Sequence, residues 1–245
     1  MDAYAWLLAL VAAFCTGLGK SGFASGLGTF AAPLLAVSMP LPQAAAMLLP
    51  LLLLLDVVSV LLWRHQPARV LWQPWLWPGV LGAVAGALLL GRLPAAYLSL
   101  LVAALCGLLF ALGSRGKAWQ CLAQHGPAMA ALSGFASMLC HAGGPPLTLH
   151  CLARGLAPAL MASACTVFFC LLNLLKLPVY VQLDALGGQQ WLWALALCPA
   201  GLAGVVAGVK LTGRLSPRGF YRASHLAVLL ACAVLLHDGW RQLTG

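Results

Sequence analysis

The residues best able to do chemistry lie in one stretch near the start of the chain, Gly17-Leu-Gly-Lys-Ser-Gly-Phe-Ala-Ser-Gly-Leu-Gly-Thr-Phe-Ala-Ala-Pro33. Lys20 brings a cation into otherwise apolar sequence, Ser21, Ser25 and Thr29 bring hydroxyl donors, and the glycines, Gly22 among them, open the backbone. The pentapeptide Ser21-Gly-Phe-Ala-Ser25 returns letter for letter as Ser133-Gly-Phe-Ala-Ser137, and Pro33 is matched at the same offset by Pro145. The pair reads as two halves of one site. The second copy continues into Cys140-His141-Ala-Gly-Gly-Pro-Pro146, which adds Ser137, His141, Gly143 and Gly144 to the candidates. Backbone N–H groups at the start of a half-helix bind anions through unsatisfied donors and the helix dipole. A lysine charge with hydroxyls around it therefore suits a small oxyanion, and His141, a residue type whose ordinary pKa lies near neutrality, is expected to supply a second cation. Two further polar residues sit deep in apolar runs: Asp56 in Leu-Leu-Leu-Leu-Leu-Asp-Val-Val, and Asn173, nearly matching it, in Leu-Leu-Asn-Leu-Leu-Lys176. A carboxylate in such a place is a candidate proton relay or ion-pair partner. Asp56 is the candidate coupling group and Asn173 its counterpart. The plainer reading of both is a static pair or a hydrogen bond that locks helices.

The elements that must position these residues follow from composition. The chain has 245 residues, 63% of them hydrophobic and 7% charged, with mean hydropathy +0.98. That leaves too little polar surface to solvate a globule, so the chain is expected to be an integral membrane protein. The 13 Lys and Arg against four acids give net charge +9, but the basic residues punctuate the gaps between apolar runs, which is the positive-inside pattern and not a nucleic-acid face. Nine cysteines are scattered singly without Cys-x-x-Cys, as small buried hydrophobes are. The start, Met1-Asp2-Ala3-Tyr4, lacks a basic n-region and is taken as retained structure.

Six runs are long enough, or nearly so, to cross an apolar slab of about 30 Å: Leu41 to Leu62, Trp75 to Leu90, Ala95 to Leu112, Pro158 to Pro178, Trp191 to Leu211 and Phe220 to Leu236. A second repeat joins the halves. Gly79-x-x-Gly82-x-x-x-Gly86-x-x-x-x-Gly91-Arg92-Leu93 aligns without gaps on Gly201-x-x-Gly204-x-x-x-Gly208-x-x-x-x-Gly213-Arg214-Leu215. These glycines read as close helix-packing faces. The chain is thus a tandem duplication, roughly residues 1–118 and 119–245. Were Tyr4 to Val37 one crossing, the repeats would be parallel and the loop charges would split five against five. If that stretch goes in and comes back, the repeats are inverted, and Arg64, Arg69, Arg115, Lys117, Arg154, Arg214, Arg218 and Arg222 share one side against Arg92 and Arg241. The second split carries a positive-inside signal. The expected fold is an all-α polytopic membrane protein of two inverted repeats, each a broken or re-entrant helical hairpin plus three transmembrane helices, with both termini outside the cytoplasm. Gly/Pro-broken segments at corresponding places in two repeats also point to a transporter's binding site.

Other chemistries fit less well. Cys140, His141, His150 and Cys151 could be soft-metal ligands, as in a divalent-metal carrier, but their spacing matches no metal motif. Gly-Leu-Gly-Lys-Ser lacks the P-loop spacing and a preceding strand. There is no Ser/His/Asp set and no redox cysteine pair, so an enzyme is not expected. A non-transporting membrane scaffold, in which Lys20 merely snorkels to an interface, is the alternative from another class.

These residues resemble the TauE/SafE family of sulfite and organosulfonate exporters. The first-half match is Gly17-Leu-Gly-Lys-Ser-Gly-Phe with Pro33-Leu-Leu-Ala and Asp56. The second is Gly134-Phe-Ala-Ser-Met with Ala142-Gly-Gly-Pro-Pro146, Phe168-Phe and Asn173-Leu-Leu-Lys-Leu-Pro-Val-Tyr180. The resemblance covers nearly the whole chain. It implies a multi-pass protein of the bacterial inner membrane that exports a small sulfur oxyanion or sulfonate, driven by an ion or proton gradient. Gly26-Leu-Gly-Thr-Phe carries fewer glycines than the family's usual form, and Cys140-His141 stand where smaller or amide residues are common. No cofactor is expected. The expected partners are a small anionic substrate and membrane lipid, with no nucleic acid, and a homodimer is kept open.

Overall fold

The computed structural model describes residues 3–21, 27–36, 38–39, 41–66, 68–90 and 124–214, with scattered positions between 92 and 104 and between 216 and 243. The first half supplies α1 (Ala3–Lys20), a 3₁₀ turn (Leu27–Phe30), α2 (Ala31–Ala36), α3 (Leu41–Trp63) and α4 (Arg69–Leu89). The second supplies α5 (Gly126–Cys140), α6 (Gly144–Ala153), α7 (Pro158–Gln182) and α8 (Gly188–Arg214). Among the described residues the elements are all helical. Four segments, Ala3–Lys20, Gln43–Trp63, Pro158–Gln182 and Gly188–Thr212, are long and apolar enough to cross a membrane.

The sequence of α1 shows how such a helix orients itself. Leu7, Leu10, Val11 and Phe14 are exposed, whereas Ala5, Ala9, Ala12, Thr16, Gly17 and Lys20 are buried. Both sets recur at helical spacing, large apolar residues outward and small or polar ones inward. A lipid-facing surface supplies apolar solvent to the first set, and small residues let backbones approach on the other.

α3 and α7 form the centre and run antiparallel. The Ser163 hydroxyl near the start of α7 donates to the Trp63 carbonyl at the end of α3, 3.2 Å away. At mid-length the Asn173 amide donates to Asp56. At the opposite end Ala45 shares an apolar cluster with Tyr180. Two packing pairs flank this centre, α1 on α8 and α5 on α4. In each the glycine face expected from sequence lies against backbone. A Cβ on Gly204 would collide with the Phe14 carbonyl and one on Gly17 with the Gly201 carbonyl; likewise Gly82 meets Ala131 and Gly134 meets Gly79. Both pairs run parallel, since advancing from Phe14 to Leu18 advances from Gly204 to Gly208, and advancing from Gly82 to Gly86 advances from Ala131 to Phe135.

α5 and α6 form a hairpin that turns back. Their 15 and 10 residues span about 22 and 15 Å at 1.5 Å per residue, too short for two crossings. The chain reverses at His141, which caps α5 in the left-handed conformation at φ 56. Pro145 and Pro146 then begin α6, where missing N–H groups cost least. The return is complete: the His150 ring near the end of α6 lies against Gly126 at the start of α5, and one cavity of about 330 Å³ is lined by Val70, His125, His150 and Arg154.

Of the six expected runs, four correspond to α3, α4, α7 and α8, although α4 starts at Arg69, six residues before the apolar run, through Trp72 and Pro74. Ala95 to Leu112 and Phe220 to Leu236 fall largely outside the described residues. The first hairpin's descending arm extends to Lys20, and its returning arm is a 3₁₀ turn followed by the six-residue α2. Of the first pentapeptide copy only Ser21 is among the described residues, and it does not match the place of Ser133. Ser21 follows the end of α1, whereas Ser133–Ser137 lies inside α5. By packing, the counterpart of Gly134 is Gly17.

Candidate functional site

The site grows from the ends of the hairpins where they meet α3 and α7. Lys20 is the last residue of α1, a place where the helix dipole favours a cation. Its ammonium donates to Asp56 Oδ1 at 2.5 Å, and Asp56 is fully buried while Lys20 keeps 9% of its surface exposed. The other carboxylate oxygen accepts from Asn173 Nδ2 at 2.7 Å. The Asn173 carbonyl oxygen accepts in turn from Lys176 Nζ at 3.0 Å, one helical turn along α7. Lys176, also fully buried, donates to Ser137 Oγ at 2.8 Å and lies 3.0 Å from His141 Nδ1. One hydrogen-bonded chain thus joins both hairpins through both central helices. It holds two ammoniums and one carboxylate.

His141 does not stand as a free second cation. An ammonium has only donors, so the Nδ1 that meets Lys176 must accept, and Nε2 then carries the proton toward the Ala45 carbonyl at 3.0 Å. The ring is a neutral connector, and Lys176 is the cation of the second half. The sequence signal for Lys176 was its place in an apolar run one turn after Asn173, but nothing in sequence says that its side chain reaches the hairpin tip.

A cavity of about 50 Å³ lies at this cluster, lined by Lys20, Gly28, Ser137, His141, Gly144 and Lys176, with Leu52 and Phe169 among its apolar walls. Where about 10–15 Å³ on this measure holds one water, this is room for about four waters or one small oxyanion. Lys20 Nζ also stands 5.9 Å from the Phe169 ring centroid. The Thr166 hydroxyl donates to the Lys20 carbonyl at 3.1 Å, which fixes the tip of α1 to α7.

The remaining candidates fall in three groups. Ser21 is buried but donates to the Leu18 carbonyl at 2.7 Å and packs on Gly208, so it secures the tip against α8 and does not line the cavity. Gly143 plays a similar part: its carbonyl accepts from Ser133, and a Cβ there would meet the Ser133 carbonyl, Ser137 and the Phe169 ring. Thr29 is buried with a hydroxyl that has no partner among the described residues. Gly22 and Ser25 lie outside the described residues. The expected backbone anion site at the start of α6 is weakened by Pro145 and Pro146, which have no N–H. The polar groups that line the cavity are then side-chain ammoniums and a hydroxyl more than backbone donors. His150 belongs to the other cavity, edge-on to Trp75 with ring centroids 5.6 Å apart, and does not converge with His141.

An apolar helical bundle whose hairpin tips close on a buried charged cavity is an integral membrane protein with the build of a transporter. Residues 9–236 match the family described as Sulfite exporter TauE/SafE, and the chain belongs to that family. No curated protein and no solved structure matches it.

Proposed function

We propose that the chain is a secondary transporter that exports a small sulfur-containing anion, sulfite or an organosulfonate, across the bacterial inner membrane. The observation that carries this reading is that two ammoniums border the cavity with one carboxylate between them, Asp56, which pairs directly with Lys20 and is linked to Lys176 only through the Asn173 amide. The surplus positive charge sits where little water can answer it, and an anion completes the balance. In this reading Lys20, Lys176, Ser137, His141 and Gly144 contact the substrate, and Thr29 offers a spare donor. Ser21 and Gly143 hold the tips in place, and Gly22 and Ser25 are candidates on sequence grounds. Asp56 and Asn173 couple the two lysines. The cargo and the direction follow the family's description.

The antiparallel α3 and α7 and the reciprocal packing of α1 on α8 and α5 on α4 support two inverted repeats, 1–118 and 119–245. The end of α3, the start of α4 and the end of α6 gather at one side, which supports putting Arg64, Arg69 and Arg154 on the same side of the membrane. That side is then cytoplasmic, and both termini lie outside it.

The test is thermal stabilisation of the purified protein in detergent. A ligand at 100 times its Kd stabilises by about 2.7 kcal/mol. Sulfite or a small sulfonate raises the melting temperature of the wild type, and Lys20→Ala and Lys176→Ala lose the shift while eluting as the wild type does. Retained stabilisation in either variant sinks the reading, and stabilisation by divalent metals alone favours a metal carrier.

A further inference from the structure

We infer that Asp56 sets the charge of the anion the site accepts: ionised it leaves room for one negative charge, and protonated it leaves room for two. The inference rests on the anion site proposed above and deepens it. With both lysines charged, the neutral His141 ring and an ionised Asp56, the cluster carries one formal positive charge, which a monoanion neutralises. A dianion entering the same buried cluster leaves one negative charge uncompensated, a state that an apolar membrane interior penalises. A proton on Asp56 restores the balance: proton and dianion together bring the same charge as a monoanion alone.

The geometry gives that proton a place. Lys20 reaches the cavity, whereas Asp56 lies behind it and is fully buried, so a ligand meets the ammonium and not the carboxylate. An anion that draws Lys20 toward the cavity takes the donor from Asp56 Oδ1, while Asn173 keeps its bond to Oδ2. A carboxyl proton then replaces the lost ammonium. Among the described residues, the groups around Asp56 offer few other takers. α1 presents Lys20, α7 presents Lys176 and Cys170, and the turn after α5 presents His141, whose Nδ1 already faces an ammonium. α2 carries no titratable residue, and the α8 group nearest the α3 core is Cys198, against the apolar cluster of Leu51 and Leu55.

The experiment uses two probes of permanent charge, methanesulfonate and sulfate, on the full-length purified protein. Calorimetry in buffers of different ionisation heat counts the protons taken up. Sulfate binding takes up about one proton and its Kd rises about tenfold per pH unit above neutrality, while methanesulfonate takes up none. Asp56→Asn abolishes the uptake and shifts preference toward sulfate; if that variant does not fold, the wild-type uptake still decides. Sulfate binding without uptake, equal uptake with both probes, or no sulfate binding at any pH overturns the inference while leaving the anion site standing. Uptake that survives in Asp56→Asn and vanishes in His141→Gln assigns the proton to the histidine and overturns it too. If neither probe binds, the anion site falls and the inference with it.

Discussion

Lys176 donates to Ser137 and Asn173 and meets His141, so its removal strips donors from three buried groups at once. Each buried acceptor left unsatisfied costs about 1–3 kcal/mol. Lys176→Met is therefore expected to lower the melting temperature as well as abolish anion binding, measured in detergent with and without sulfite. Asp56→Ala is more damaging, because it leaves Lys20 charged and buried; breaking such a pair from one side costs about 3–5 kcal/mol. The double change Lys20→Met with Asp56→Leu is expected to recover most of that loss while remaining unable to bind. A double variant no more stable than Asp56→Ala would show that the pair matters for something other than its charge. At this scale sequence tells part of the story. Lys20, Asp56 and Asn173 are legible because polar groups stand out in long apolar runs. Lys176 sits close to Pro178 and Tyr180, where a lysine can equally extend to an interface, and only the antiparallel meeting of α3 and α7 turns it inward. His141 is a candidate by type, but its role as a neutral connector depends on the lysine it faces.

The helices hold this cluster through surfaces without bulk. A Cβ at Gly204 or Gly82 would collide with the backbone of Phe14 or Ala131, and backbone cannot rotate aside. Gly204→Leu and Gly82→Leu are expected to abolish folded protein, judged by yield and monodisperse elution. Gly28 offers the contrast, since a Cβ there meets nothing within 4 Å and the residue borders the cavity. Gly28→Ala is expected to leave the fold intact, and Gly28→Val to fold yet weaken anion binding by occupying the cavity. A Gly28→Val protein that binds as the wild type does would remove the cavity from the binding path. The glycine faces were legible because fixed spacing survives in both halves and close packing needs small residues at that spacing. The pentapeptide is a weaker guide: α5 continues through Ser133–Ser137, whereas α1 ends at Lys20, before Ser21.

For the molecule as a whole, orientation is the open quantity that one measurement fixes. Gly155, between α6 and α7, and Gly187, between α7 and α8, are exposed at opposite ends of α7. A reporter active only outside the cytoplasm is expected to be silent after Gly155 and active after Gly187. The reverse pattern would overturn the orientation derived from the arginines, and equal activity would overturn α7 as a crossing. Membrane character was plain from composition. The second hairpin turns back for a reason that composition does not show, in helices too short to cross and a left-handed cap at His141.

The crossed packing also governs how the protein must be made. Gly17 rests on Gly201, so the first helix to enter the membrane, although it meets α2 and α3 early, lacks its most extensive packing partner, α8, until nearly the whole chain has been synthesised. At about 5–20 residues per second that wait is roughly 10–40 s. Asp56 emerges far sooner, only 36 positions after Lys20, and can shield that lysine from lipid in the interval. The ion pair that organises the finished cavity would thus serve first as a chaperone within the nascent chain.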